Sequence, residues 1–245
     1  MSRPRATPSR RPEIVACAAR MFSSRGVAAT TVRDIADEVG LHSGSLYHYF
    51  GSKDELVSEI LIAFLDDLTC SYASEIRWSV AAPEQLRDLI HVSLRVAVRH
   101  PHASEIYDKE FGVLPTLPGY RHIDARVLEA QDVWSRILAN GIAENSFRRD
   151  FESAQLQRLL REIVWTATRW HRDSLDADHV MLSTTLVDLF VDGITARAPG
   201  SPAPAAAAVR ADPFRERGAG DEIGQLRREV QALRGVVEEL RVSSA

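Results

Sequence analysis

Apolar residues recur along this chain at spacings of three and four, segment after segment, and nowhere alternate with polar ones over a strand's length. Such spacing lines side chains along one face of an α-helix, and it resumes after each proline or glycine that interrupts it. The chain is therefore read as all-α. Ile14, Ala18, Met21 and Phe22 share one face of a helix with Pro12 in its first turn and Gly26 just past its end. Thr31, with Asp34 three residues on, makes a capping box for a helix that stops at Gly40. A short helix spans about 44–50. Ser52, with Glu55 three residues later, then opens a long one that reaches Trp78. Further helices are predicted near 84–99, 102–111, 119–144, 153–171 and 176–197, and the last is apolar around more than one face, as in a helix buried on two sides.

The pattern breaks after residue 197. Pro199, Pro202, Pro204, an alanine run, Gly218 and Gly220 read as a linker over 198–220. A heptad helix is predicted over 221–242, where Ile223, Leu226, Val230, Leu233, Val237 and Leu240 repeat as an a/d seam. In a parallel coiled coil Glu222 would face the partner's Arg227 and Glu229 the partner's Arg234. A single amphipathic helix lying on its own domain is the alternative. The expected organisation is a mobile basic arm (1–11), a small first domain (12–55), a larger helical second domain (56–197), the linker and the heptad helix.

A formal net charge of −4 by itself argues weakly against a nucleic-acid partner. Its distribution reverses that. Residues 1–53 carry +4, residues 54–200 carry −8 and residues 201–245 are neutral. Cys17 and Cys70 form neither a disulfide framework nor a metal site, and both are expected to be reduced thiols in the core. No apolar run reaches the roughly 18 residues of a membrane span, and none near the start has the length of a secretory leader. A cytoplasmic, nucleoid-associated protein without cofactor or metal is expected.

The segment Val32–Phe50, VRDIADEVGLHSGSLYHYF, fits a helix-turn-helix. Ala36 stands where two helices must cross closely, and Gly40 where the chain turns with positive φ. Ile35, Val39, Leu41, Leu46 and Phe50 fill the space between helices, and Ser43 is expected to cap the second helix. That helix enters the major groove in this geometry. Any short helical hairpin can show the same spacing. However, Arg3, Arg5, Arg10 and Arg11 precede it, and Lys53 follows at a helix N-terminus suited to phosphate.

Across residues 12–64, and most densely in FSSRGVAATTVRDIADEVGLHSGSLYHYFGSKDELV, the chain resembles the DNA-binding domain of TetR-family transcriptional repressors. The resemblance implies an all-α homodimer whose three small N-terminal helices read DNA and whose larger helical body binds a small-molecule effector. It implies phosphate contacts from Thr31 and Lys53, backbone contacts from Tyr47 and His48, and base reading by Ser43, Gly44 and Ser45. Arg10 and Arg11 join them as basic contacts. Such small base-reading residues point to van der Waals contacts, water and DNA shape. A two-fold dimer implies a palindromic operator.

In RLLREIVWTATRWHR, residues 158–172, Arg161, Trp165 and Arg169 fall at i, i+4 and i+8 on one helix face. One reading is a solvated face with Trp165 in the core and Arg161 paired with Glu162 or Asp173. The other is a pocket for an elongated apolar ligand with an anionic end, gripped by arginine and covered by indole. IYDKEF (106–111), YRHIDARVLEAQDVW (120–134), NGIAENSFRRDF (140–151) and LLREIVWTATRWHR (159–172) resemble the actinobacterial repressors of steroid-ring catabolism that respond to acyl-CoA thioesters. That implies an acyl-CoA effector held by Arg161, Trp165 and Arg169. A regulator of the same fold sensing lipophilic cations for efflux control would need acidic or aromatic lining instead. An enzyme acting on CoA esters lacks support, with no glycine-rich phosphate loop, paired-histidine metal motif or nucleophile elbow in the sequence. His48 has no partner ligand at metal spacing.

Overall fold

The computed structural model describes residues 10–150 and 152–195, which are helical throughout apart from short turns. The expected linker, the heptad helix and the first nine residues of the basic arm lie outside the described residues. The predicted caps set the helix boundaries. α1 (Arg11–Arg25) has Pro12 in its first turn and stops at Gly26, whose φ of 88° favours glycine. Both halves of the capping box at α2 (Val32–Glu38) form, Thr31 Oγ1 accepting from Asp34 N and Asp34 accepting from Thr31 N. Ser52 caps α4 (Lys53–Glu75) by accepting from Glu55 N, while the Glu55 carboxylate accepts from Gly51 N, one residue before the cap. α5 (Ala82–Arg99), α6 (Ala103–Lys109), α7 (Tyr120–Ala143), α8 (Ser153–Trp170) and α9 (Leu175–Ile194) follow.

Four expectations need correction. α3 is a single turn, Ser43–Leu46, and the rest of the predicted 44–50 helix tightens into i→i+3 turns that bring Phe50 back into the core. His42, with an extended backbone and no side-chain bond, is its N-cap; Ser43 is already helical and does not cap it. Beyond α6 the chain passes into a 3-10 helix over Phe111–Thr116 with Pro115 inside, so the segment after Lys109 departs from α geometry. Cys17 is buried as expected, but Cys70 is exposed on α4.

α4 is the spine. It packs on α1 near its start and on α5, α6 and α7 further along, and α9 lies against α5. One continuous apolar core runs from Ile14 and Phe22 through Leu61, Leu65 and Trp134 to Leu186 and Ile194. The α7–α8 connection closes the far end. Asn145 takes a left-handed turn, Ser146 and Phe147 donate to the Gly141 carbonyl, Phe147 is fully buried, and Arg148 N donates to Ile194 O at the end of α9. A Cβ at Gly141 would stand 2.2 Å from the Phe147 ring. Gly141→Ala is expected to cost about 1–3 kcal/mol and to lower the melting temperature by several degrees. An unchanged melting curve would contradict this packing. Among the described residues no helix is long and apolar enough to cross a membrane.

Candidate nucleic-acid interface and effector cavity

Ile35, Ala36, Val39, Leu46 and Phe50 are buried between α1, α2 and α3, and Gly40 turns with φ 69° so that Leu41 N can donate to Ala36 O. This small core holds α3 with its outer face bare. On that face Thr31, Val32, Arg33, Ser43, Tyr47 and Lys53 line a shallow depression open to solvent. Four residues predicted from the sequence thus meet in one place. Gly44 and His48 are exposed beside them, with Ser45 half-buried. Tyr47 is 55% exposed, so its ring is not held by packing. Arg33 escaped the sequence reading. Its side chain is 82% exposed and tethered only loosely, to Asp37 at 3.7 Å. The signal that could have found it is its place in the first turn of α2, two residues beyond Thr31.

The remaining basic residues are partly committed to the fold. Lys53 Nζ donates to Val27 O and Thr30 O, closing the α1–α2 turn with two of its three N–H donors. Arg11 lies over the Phe50 ring at 4.2 Å and donates to Tyr49 O and to the Glu59 carboxylate. The Glu59 hydrogen bond pushes its pKa up further. Arg11 is thus a strut between α1, α3 and α4. Arg10 donates to Val39 O at 3.1 Å and reaches Glu13 at 3.4 Å.

A second concavity of about 410 Å³ opens between α4, α6, α7 and α8. Phe64, Leu65 and Leu68 of α4 and Val127 and Ala130 of α7 give it an apolar lining, Ser104, Tyr107 and Asp108 of α6 a polar edge, and Arg161, Glu162, Trp165 and Arg169 of α8 its remaining wall. The i, i+4, i+8 spacing is why one helix supplies all three predicted effector residues. Trp165 stands edge-to-face with Phe64 at 5.5 Å and is half-buried, presenting indole to the cavity. Arg169 donates to Thr166 Oγ1 at 2.9 Å and pairs with Glu162 at 3.4 Å. Asp173 pairs with Arg172. Neither carboxylate takes Arg161, and among the described residues no carboxylate lies within ion-pair distance of it. Burial pushes the Tyr107 phenol above its ordinary pKa against the opposing pull of Arg161, so it remains a hydrogen-bond donor. The cavity thus offers an apolar cleft, a flat aromatic wall and two arginines beside the Asp108 and Glu162 carboxylates, with Arg161 beyond ion-pair distance of both.

Residues 14–60 match the profile described as bacterial regulatory proteins of the tetR family. The chain is 37% identical over 188 residues to the HTH-type transcriptional repressor KstR2 of Mycolicibacterium smegmatis, covering 76% of this chain and 91% of that protein. It is 34% identical over 185 residues to the repressor of the same name from Rhodococcus jostii, again covering 76% and 91%. The solved structure of the ketosteroid transcriptional regulator KstR2 of Mycobacterium tuberculosis superposes with a TM-score of 0.71 at 36% identity, over 78% of this chain and 98% of that one.

Proposed function

The chain belongs to the TetR family of DNA-binding transcriptional repressors, in its steroid-catabolism subgroup, and on that premise we propose that it acts as a homodimer released from a palindromic operator by an acyl-CoA thioester. It is a regulator, not an enzyme, as its relatives are. The observation that carries the effector reading is the cavity wall of Arg161, Trp165 and Arg169 with the Arg161 guanidinium beyond ion-pair distance of the carboxylates beside it. The acyl group occupies the cleft against Trp165 and Phe64, and Arg161 meets an anionic or carbonyl oxygen with Tyr107 beside it. Arg169 reaches a second polar group once Glu162, 59% exposed, swings to solvent. A lipophilic cation would find the Asp108 and Glu162 carboxylates in this lining, but it would also face Arg161, which neither of them pairs with, so the lining favours an anionic ligand over an efflux-type cation.

At the operator, Thr31, Tyr47, His48 and the free N–H of Lys53 take phosphates, with Arg10 nearby, and Ser43, Gly44 and Ser45 approach base edges. Arg11 acts by holding α3 in place. Arg33 joins the phosphate contacts. Pairing of two chains through α8 and α9 is supported by apolar side chains left bare on one chain, with Val180 62% and Leu189 41% exposed on α9. Repression requires two heads spaced to match successive major-groove half-sites, and the ligand favours a mismatched spacing by its differential affinity for the two states.

The test is footprinting on DNA selected by the protein from a random library, with cyclohexylpropanoyl-CoA, decanoyl-CoA, free CoA and a lipophilic cation added in turn. A two-fold symmetric footprint lost with a thioester and retained with the cation is expected. A footprint unmoved by every thioester contradicts the effector reading. Val180→Asp is expected to halve the mass measured by light scattering, from twice the 27.2 kDa chain to once, and to abolish the symmetric footprint. A dimer that survives the charge places the interface elsewhere.

A further inference from the structure

α6 has only seven residues, yet it presents three working faces. Ala103 and Ile106 are buried in the core. Ser104, Tyr107 and Asp108 border the cavity. His102, just before the helix, together with Glu105 and Lys109 falls at i, i+3 and i+7, and these residues lead to the end of α1. His102 Nδ1 lies 2.8 Å from Ser23 Oγ, and the Lys109 ammonium donates to the Ser23 carbonyl at 2.6 Å. Ser23 sits in the last turn of α1, where carbonyls lack an intrahelical partner and the helix dipole favours a cation. Glu105 steers Lys109 at 2.8 Å, and its other carboxylate oxygen takes Arg172, three residues beyond Arg169 in the cavity wall. Burial, reinforced by Arg172, pushes His102 below the ordinary histidine pKa, so its ring is neutral near pH 7. An unbroken set of contacts therefore runs from the cavity wall through α6 to the head.

Lysine occurs at two positions in a chain with 30 Lys and Arg residues, Lys53 and Lys109, and both donate to backbone carbonyls at or just after the end of α1. An ammonium gathers its donors on one atom, which suits such carbonyls better than a flat guanidinium fork.

We propose that the clasp of Glu105, Lys109 and His102 on Ser23, anchored by Arg172, locks the DNA-binding head in its operator-competent pose, and that a ligand filling the cavity opens it. The lock is a property of the ligand-free chain. Its opening rests on the effector reading above. A bulky acyl group displaces Tyr107 and Ser104 outward, and because α6 is a short rigid piece of about two turns, Lys109 and His102 move with them. These are positioning residues that touch neither DNA nor ligand.

The test uses the full chain, the library-selected operator and cyclohexylpropanoyl-CoA as probe. Lys109→Met is expected to bind operator about tenfold more weakly without any ligand, to bind the probe more tightly than the wild type because the clasp no longer has to be opened, and to show little further release when the probe is added. Arg172→Met leaves Ser23 in contact but frees Glu105, and is expected to give a smaller loss in the same direction. Circular dichroism melts establish that each variant is folded; should Lys109→Met fail to fold, Arg172→Met decides. Wild-type operator affinity in the folded variants overturns the clasp. A wild-type protein that ignores every thioester overturns the effector reading alone, because the weaker operator binding of Lys109→Met is read without ligand.

Discussion

Arg161→Met is expected to stay on its operator and no longer let go when the thioester arrives. Methionine keeps much of the length and apolar bulk of the arginine stem, so the cavity retains its shape while losing the guanidinium in its lining that pairs with no described carboxylate. A hydrogen bond to a charged group contributes about 1.5–3 kcal/mol, so thioester affinity is expected to fall about 10- to 100-fold. Operator affinity without ligand stays at the wild-type value, since Arg161 lies in the body and holds no element of the head. Trp165→Leu removes the aromatic wall and its edge contact with Phe64 and is expected to act in the same direction. Unaltered release of Arg161→Met by the probe would place the effector elsewhere.

Tyr47→Ala gives the opposite pattern, a protein that folds and binds ligand but no longer holds DNA. The side chain is more than half exposed and outside the small core of Ile35, Leu46 and Phe50, so its removal leaves stability nearly unchanged. In a two-fold complex each substitution removes two contacts. With about 1.5 kcal/mol for each, operator affinity drops about 100-fold. Arg33→Ala tests the same surface differently. It weakens binding to all sequences alike and makes the salt dependence shallower, by about one in the slope for each phosphate that arginine no longer neutralises. Full operator affinity in Tyr47→Ala would mean that the depression beside Thr31 and Lys53 is not the DNA surface.

The helical frame could be read from the sequence because its stops are local chemistry. Thr31 with Asp34, Ser52 with Glu55, and Gly26 at positive φ each act within a few residues of themselves. The cavity wall was readable for the same reason, since three side chains on one helix need only the helical repeat to come together. What could not be read depends on distant partners. Nothing near Arg11 in the sequence announces its contacts with Glu59 and Phe50, which tie α1 to the start of α4 and to the segment after α3. Cys70 carries the apolar neighbours of a core position, but the angular place of its side chain on α4 leaves it in solvent. Ser43 has the right chemistry for a cap one residue too late, because α3 starts a residue earlier than its spacing suggests. The grip of Lys109 on Ser23 spans 86 residues and is visible only once α6 is seen against α1.

Whether the cavity governs DNA release is read most directly from the affinity of cyclohexylpropanoyl-CoA for the free protein and for the same protein saturated with operator. If filling the cavity and holding DNA favour different states, operator must weaken the thioester by the same factor by which the thioester weakens operator, at least about fivefold. Equal thioester affinity with and without operator would show that the two sites are independent and that this cavity does not govern DNA release.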